Sequence, residues 1–385
     1  MQTFIKNIFL LCLLPLSLFA NDVDNNESMF TDSSDGYLDM SKFLASKEGF
    51  LPVPMIITGP TFGLGGGVNI MFLHDKLMSK KNTNGHYIPP SISGVVVGAT
   101  ENGTKFAAAY HIGFYLDGNL RTTTFFGHPD ANMEFGTTLG DVSLNTNGYL
   151  AYQELKYRLF DTSLFLGANY TYMRMKTSPN DVPKYLEKIA DSLSNEQTYA
   201  GLALVLEYDS RDSIFTPDKG LYAKALVDFY SDTVGSDKNF INYRAKSFYY
   251  YPISKKLNLG LRGEYQSING SDRAPAFMTP SLILRGMSNH KYQGQSTALG
   301  EVEMRYEVFH RNFLLGFAGT GKVYGDYSSE GEQSFSDASF HSSYGIGYRY
   351  ELAKKFKLLA GFDIAKSQTD TAFYITVGSA WNAFY

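Results

Sequence analysis

The stretches LNLGLRGEYQ, residues 257–266, and ALGEVEMRYEV, residues 298–308, alternate apolar and polar side chains. In the first, Leu257, Leu259, Leu261, Gly263 and Tyr265 fall on one face, and Asn258, Arg262, Glu264 and Gln266 on the other. In the second, Ala298, Val302, Met304, Tyr306 and Val308 oppose Glu301, Glu303, Arg305 and Glu307. Successive side chains of a strand point to opposite faces, so one face of each stretch suits hydrocarbon and the other water. A transmembrane β-barrel and a soluble sandwich both read this way, and the rest of the chain decides between them.

Lys6 precedes an apolar run from Ile8 to Phe19 that ends at Ala20 before polar Asn21 and Asp22. This is the pattern of a cleavable secretory signal peptide over residues 1–20. The run is short for a spanning helix, and no later segment approaches the ~20 uninterrupted apolar residues one needs. Cys12, the only cysteine, lies inside this run, so the exported chain is expected to hold no disulfide, thiolate metal site or cysteine nucleophile. Aromatics are 15% and charged residues 19%, against a usual charged share of about 25% in soluble domains. A formal net charge of −4 gives no basic face for nucleic acid.

Residues 21–50 are polar and acidic, with Asp22, Asp24, Glu27, Asp32, Asp35 and Asp39. They read mostly as a flexible periplasmic tail. Asp39 to Lys47 has Met40, Phe43 and Leu44 on one side of a possible short helix, as a plug or an edge cap. Residues 51–385 read as one antiparallel barrel of sixteen strands, from Thr61–Leu73 to Thr371–Tyr385, with Asn119–Gly127, Asn132–Leu144 and Asn147–Phe160 near the front. Tight connections (Glu101 to Gly103, Asp161-Thr162, Pro252 to Lys255, His310-Arg311, Ala353 to Lys355) alternate with longer ones (His74 to Pro90, Thr177 to Gln197, Asn269 to Ser296, Asp326 to Phe340). Short turns on one rim and long loops on the other predict an outer-membrane barrel, turns periplasmic and loops outside. Tyr344, Ile346, Tyr348, Tyr350 and Leu352 form a further lipid face opposed by Gly345, Gly347, Arg349 and Glu351, which predicts a polar lumen of both signs. Phe373, Ile375, Val377, Trp381 and Tyr385 are expected on the lipid face of the last strand, as a girdle and assembly signal.

Tyr208-Asp209-Ser210-Arg211-Asp212-Ser213-Ile214-Phe215-Thr216-Pro217-Asp218-Lys219-Gly220 resembles the Asp-x-Arg-Asp and Pro-x-x-Gly turn of the BamA/TamA superfamily of outer-membrane assembly and translocation barrels, also called the bacterial surface antigen family. Leu284-Arg285-Gly286-Met287 is similar to that family's Arg-Gly-aromatic loop. Gly300-Glu301-Val302-Glu303-Met304-Arg305 resembles its next strand, and the segments containing Tyr348-Arg349, Phe362-Asp363 and Ala380-Trp381 its closing strands. The resemblance covers the C-terminal half, in order.

It implies a sixteen-stranded barrel whose sixth extracellular loop folds into the lumen. There Arg285 would pair with acids on an inner wall that carries Glu301, Glu303, Arg305, Glu307, Arg349 and Asp363, with Glu303 as the matching partner. Alternation independently turns Glu303 inward, and an enclosed charge needs a partner. Gly286 lets the loop tip turn sharply. Asp209, Arg211, Asp212, Pro217 and Gly220 would form the periplasmic turn. Three departures stand out. Phe317-Ala318-Gly319-Thr320-Gly321 puts Gly319 where the family has an aspartate, so a second acidic partner is expected to be missing and loop anchoring weaker. Met287 replaces the loop aromatic. Residues 21–49 are too short to hold a periplasmic POTRA domain, so the chain reads as a member lacking them.

Gly63, Gly65, Gly66 and Gly67 fail the dinucleotide-binding spacing; at the start of the first strand they would soften a seam with the last one. Within Thr177 to Gln197, Val182, Leu186, Ile189 and Leu193 sit at helical spacing, as in a short capping helix. The seven histidines form no His-x-x-x-His pair and there is no Gly-x-Ser-x-Gly elbow, so no catalytic residue, metal site or cofactor is expected. The favoured reading is a barrel for outer-membrane assembly, translocation or envelope biogenesis, with outer-membrane lipid, lipopolysaccharide and other envelope proteins as partners. A passive pore for small solutes and a structural surface antigen are the alternatives.

Overall fold

The computed structural model describes residues 29–77, 79–81, 87–180 and 195–381. The signal peptide and the helical spacing around Leu186 lie outside them. Sixteen strands form one antiparallel sheet: β1 (Gly49–Ile57), β2 (Gly65–Leu73), β5 (Ile92–Thr100), β6 (Lys105–Tyr115), β7 (Leu120–Thr137), β8 (Gly140–Arg158), β9 (Leu164–Pro179), β10 (Asn195–Asp209), β11 (Gly220–Tyr230), β12 (Phe240–Pro252), β13 (Leu257–Gly270), β14 (Ser296–Phe309), β15 (Asn312–Tyr324), β16 (His341–Ala353), β17 (Leu358–Ser367) and β18 (Thr371–Val377). A small hairpin, β3 (Lys80–Lys81) and β4 (Tyr87–Ile88), lies between β2 and β5. Each strand pairs with its sequence neighbour, and β1 and β18 are the two ends of the order.

The expected count of sixteen is met through two compensating differences. Gly49–Ile57, which contains Pro52 and Pro54, is the first strand, ahead of the one expected over Thr61–Leu73. Asn119 to Phe160 holds two long strands, β7 and β8, where sequence reading places three. The parity of the front loops changes with this. Residues 74–91 join β2 to β5 on the turn rim, with 310–311 and 354–357, whereas Glu101 to Gly103 lies on the loop rim.

Alternation holds along the walls. Leu202, Leu204 and Leu206 of β10 are exposed, while Ala203, Val205 and Glu207 are buried. A barrel of this strand number ordinarily leaves an aqueous channel. Here the inward-facing side chains are only partly polar. Towards the loop rim, inward-facing Ile57, Val96, Phe106, Phe135, Met173, Tyr199 and Ile268 form a buried apolar cluster with Phe277 from the β13–β14 loop. The polar lumen expected from β13, β14 and β16 is therefore confined to part of the wall. Within the tail, the short helix α1 (Ser41–Ser46) caps the turn rim, with Met40 and Leu44 against Ala353, Phe356 and Leu358.

Candidate functional site

The loop between β13 and β14, residues 271–295, enters the lumen and turns at Gly286, whose φ is +83°. A Cβ there would stand 2.9 Å from the backbone of Ala365 and Lys366 on β17. Glycine therefore serves both the left-handed conformation and the close approach. Met287 is buried beside it with Leu282, Leu284 and Val323.

Beside this turn, the Arg285 side chain lies inside the barrel. Its Nε donates to Glu301 Oε1 at 3.0 Å, and its Nη2 pairs with Glu301 and, at 2.7 Å, with Glu303. Nη1 reaches Asp363 at 3.3 Å, and the guanidinium lies 3.4 Å from the Phe317 ring centroid. Glu301 and Glu303 both pair with Arg285. Neighbouring cations hold these acids: Arg262 bonds Glu301 at 3.0 Å, and Arg349 grips both oxygens of Asp363, at 2.7 and 2.8 Å. Such an enclosed network stands only when every member is satisfied.

The missing second acid is a correction. Asp363, from β17 rather than β15, takes that part. Gly319 has its own use, because a Cβ there would come within 2.8 Å of Leu284. Glycine makes room for the loop that an aspartate would crowd.

The last strand also departs from expectation. β18 ends at Val377, and Gly378, at φ +82°, turns the chain inward. Ser379 N donates to Phe215 O at 2.7 Å. Trp381 is not on the lipid face: its indole packs with Tyr222, Phe248 and Tyr250, and its Nε1 donates to Glu301 Oε1 at 3.0 Å. Gly260 on β13 leaves the space, since a Cβ there would stand 2.8 Å from the indole. Phe373 remains lipid-facing and exposed, and Tyr385 lies outside the described residues. Gly65, Gly66 and Gly67 are in β2, one strand in from the edge, paired with Ile57, Ile56 and Met55. Gly63 lies in the β1–β2 connection. The glycines are thus not the seam strand.

No ladder joins β1 to β18 among the described residues. The loop tip instead touches both flanks of this seam. Gly286 N donates to Tyr374 Oη of β18 at 2.9 Å, and Asn289 N donates to Thr61 Oγ1, past the end of β1, at 2.8 Å. Between them is a cavity of about 130 Å³ lined by Thr58, Arg285, Tyr374, Thr376 and Trp381.

The turn rim is closed by two further elements. In the β10–β11 turn, Arg211 forks onto Asp209 with two bonds of 2.9 Å and lies over the Tyr222 ring. Asp212 caps the Asp218 amide at 3.0 Å and pairs with Lys357 at 2.7 Å. Arg305 of the inner wall reaches Asp218 and the Pro217 carbonyl. Gly220, at φ +111°, passes so close to Ser210 that no Cβ fits. Glu307 sits half-buried near this rim.

On the turn rim, the tail forms a strap across the β14–β15 and β16–β17 turns. Arg311, fully buried in the β14–β15 turn, pairs with Asp32, Asp35 and Asp39 at 2.6, 2.8 and 2.7 Å. Burial alone would raise the Asp35 carboxyl, but bonds from His310, the Tyr37 amide and Arg311 hold it well below the usual range. Asp39 is likewise lowered, against burial, by Ser41 and Arg311. The strap then leads into β1. Sequence reading missed it, although acids at 32, 35 and 39 preceding an apolar helix were its signal.

Residues 102–381 match the Omp85 superfamily domain. Among solved structures, BamA from Haemophilus ducreyi lacking POTRA domains 1-3 is similar over 86% of this chain and 70% of that one, at 13% identity and a TM-score of 0.60. CdiB from Acinetobacter baumannii is similar over 85% of this chain at 10% identity and a TM-score of 0.54; this chain covers 59% of that one. At these identities the likeness is one of fold. No curated protein matches the sequence.

Proposed function

This chain belongs to the Omp85 superfamily, whose β-barrels reside in the bacterial outer membrane, and on that premise we propose that it assembles or translocates polypeptides at a seam governed by the lumen loop. In this orientation the turn rim is periplasmic and the loop rim extracellular. The observation that carries the reading is the loop tip's simultaneous hold on Tyr374 and Thr61, on the two sides of strands that share no ladder. Seated, the loop plugs the lumen and staples the seam from inside; withdrawn, it leaves the two edges free to separate. In hydrocarbon an open sheet edge is costly, so such an edge favours a strand that satisfies it.

Vesicles containing the protein test this when an urea-unfolded eight-stranded outer-membrane barrel is added and its folding rate is followed. Wild type should accelerate folding over empty vesicles. Thr61→Cys with Asn289→Cys, oxidised to fix the loop, should remove the acceleration, and reductant should restore it. Equal rates with the empty, locked and reduced vesicles would refute the reading.

A further inference from the structure

Two histidines far apart in the chain meet on the barrel's outer surface. Val95 and Val97 of β5 are exposed there, and Ser93 continues their row towards the turn rim. The register sets Phe72 of β2 and His111 of β6 on either side of Ser93, and His74 lies just past the end of β2. His74 Nε2 is 2.9 Å from Ser93 Oγ, and His111 Nδ1 is 2.9 Å from the same oxygen. On its other side, His111 Nε2 is 2.8 Å from Tyr115 Oη.

Two ring nitrogens thus aim at one point from the strands that flank β5. Their ring centroids are 5.5 Å apart, with the planes inclined by 81°. Zn–N bonds of about 2.0–2.1 Å at a tetrahedral ion put the centroids of two imidazoles about 5 Å apart, so the rings already stand near the separation a shared ion needs. Each must also offer a lone pair. With its proton on Nε2, His111 donates to Tyr115 and keeps Nδ1 bare; a partner behind the ring orients a metal ligand in this way. His74 Nε2 is bare when its proton is on Nδ1. Asp75, the next residue, is engaged by Lys80 at 2.5 Å.

We infer that His74, Ser93 and His111 form a site for a divalent transition cation on the outer face of the turn rim, with Tyr115 as the positioning residue behind His111. Imidazole suits Zn2+, Cu2+ and Ni2+, whereas Mg2+ and Ca2+ call for sets of oxygen ligands that two imidazoles do not supply. The ion takes Nε2 of His74 and Nδ1 of His111, and Ser93 Oγ and water complete the tetrahedron. In the proposed orientation the site lies at the periplasmic surface, where aqueous ions reach it. It fastens β2 to β6 across β5 and is independent of the loop and the seam. Spacing along the chain gives no such pair, because strand register alone brings the two histidines together.

Equilibrium dialysis of the untagged protein in detergent micelles against Zn2+ tests this. Wild type should bind one ion saturably, and His74→Gln and His111→Gln should each abolish that binding. Tyr115→Phe should weaken it by about tenfold, as loss of an outer partner does. His128→Gln, at an exposed position on β7, should leave it unchanged. Because the ion binds only the assembled sheet, Zn2+ should raise the thermal midpoint of wild type but not that of His74→Gln. Absence of saturable binding, equal affinity in Tyr115→Phe, or binding that survives either histidine substitution, the mark of an adventitious ion only, would overturn the inference.

Discussion

Arg285 and Trp381 donate to the same oxygen, Oε1 of Glu301, each at 3.0 Å. One belongs to the β13–β14 loop and the other to the segment after β18, so a single carboxylate ties the two together. Trp381 is the chain's only tryptophan, which makes its emission a reporter of that tie.

Glu301→Gln keeps the shape and removes the charge that holds Arg285 and Arg262. Breaking one side of a buried ion pair costs about 3–5 kcal/mol. The loop should unseat, with a lower thermal midpoint and a red shift of Trp381 emission. A variant with unchanged emission and midpoint would show that Glu301 does not couple the two elements.

Gly260→Val should release the same indole without touching any charge. Its Cβ alone would intrude to 2.8 Å on the ring, and overpacking of this kind costs about 1–3 kcal/mol. Emission should shift red while the Arg285 network keeps the loop seated, measured as unchanged oxidation of the Thr61→Cys, Asn289→Cys pair.

Gly319→Asp restores the residue that the family resemblance leads one to expect, yet it should destabilise. The new Cβ would meet Leu284 at 2.8 Å and Glu301 Cγ at 3.1 Å, and a further carboxylate would join Glu301. A denaturation midpoint below wild type is expected, and a higher midpoint would show that the Asp363 arrangement is incomplete.

The strap should respond to acid. Asp35 and Asp39 have folded pKa values below the unfolded carboxylate value of about 3.9. Their contribution is therefore complete above that value and is lost as pH falls through the depressed folded values. Amide exchange at Met40, which donates to Leu352 O, should quicken below about pH 4 beyond its intrinsic rate. In Arg311→Gln it should be fast already at neutral pH.

Much of the barrel was legible because period-two alternation is imposed residue by residue by the lipid and lumen faces. Glu303 was legible as an inward residue for the same reason, whereas the place of Arg285 came only from the resemblance of its loop to the family's Arg-Gly loop. What sequence hid depends on neighbours distant in the chain. The first strand, Gly49–Ile57, contains Pro52 and Pro54, which only an edge strand tolerates, where the missing N–H faces no partner. Pro129 reads as a turn, but β7 carries it at an irregularity, where the β7–β8 pairing passes from Gly127 to Asp130. Trp381 continues the apolar pattern of β18, and only Gly378 marks the point at which the chain leaves the lipid face. Asp363 is one of many inward acids until the loop's depth selects it.

The central claim, a loop that both plugs the lumen and staples the seam, is tested most directly by single-channel recording in planar bilayers. Wild type should be silent, and Arg285→Ala should flicker between closed and conducting levels as the loop leaves and re-enters. A steady open pore in wild type, unchanged by Arg285→Ala, would contradict it.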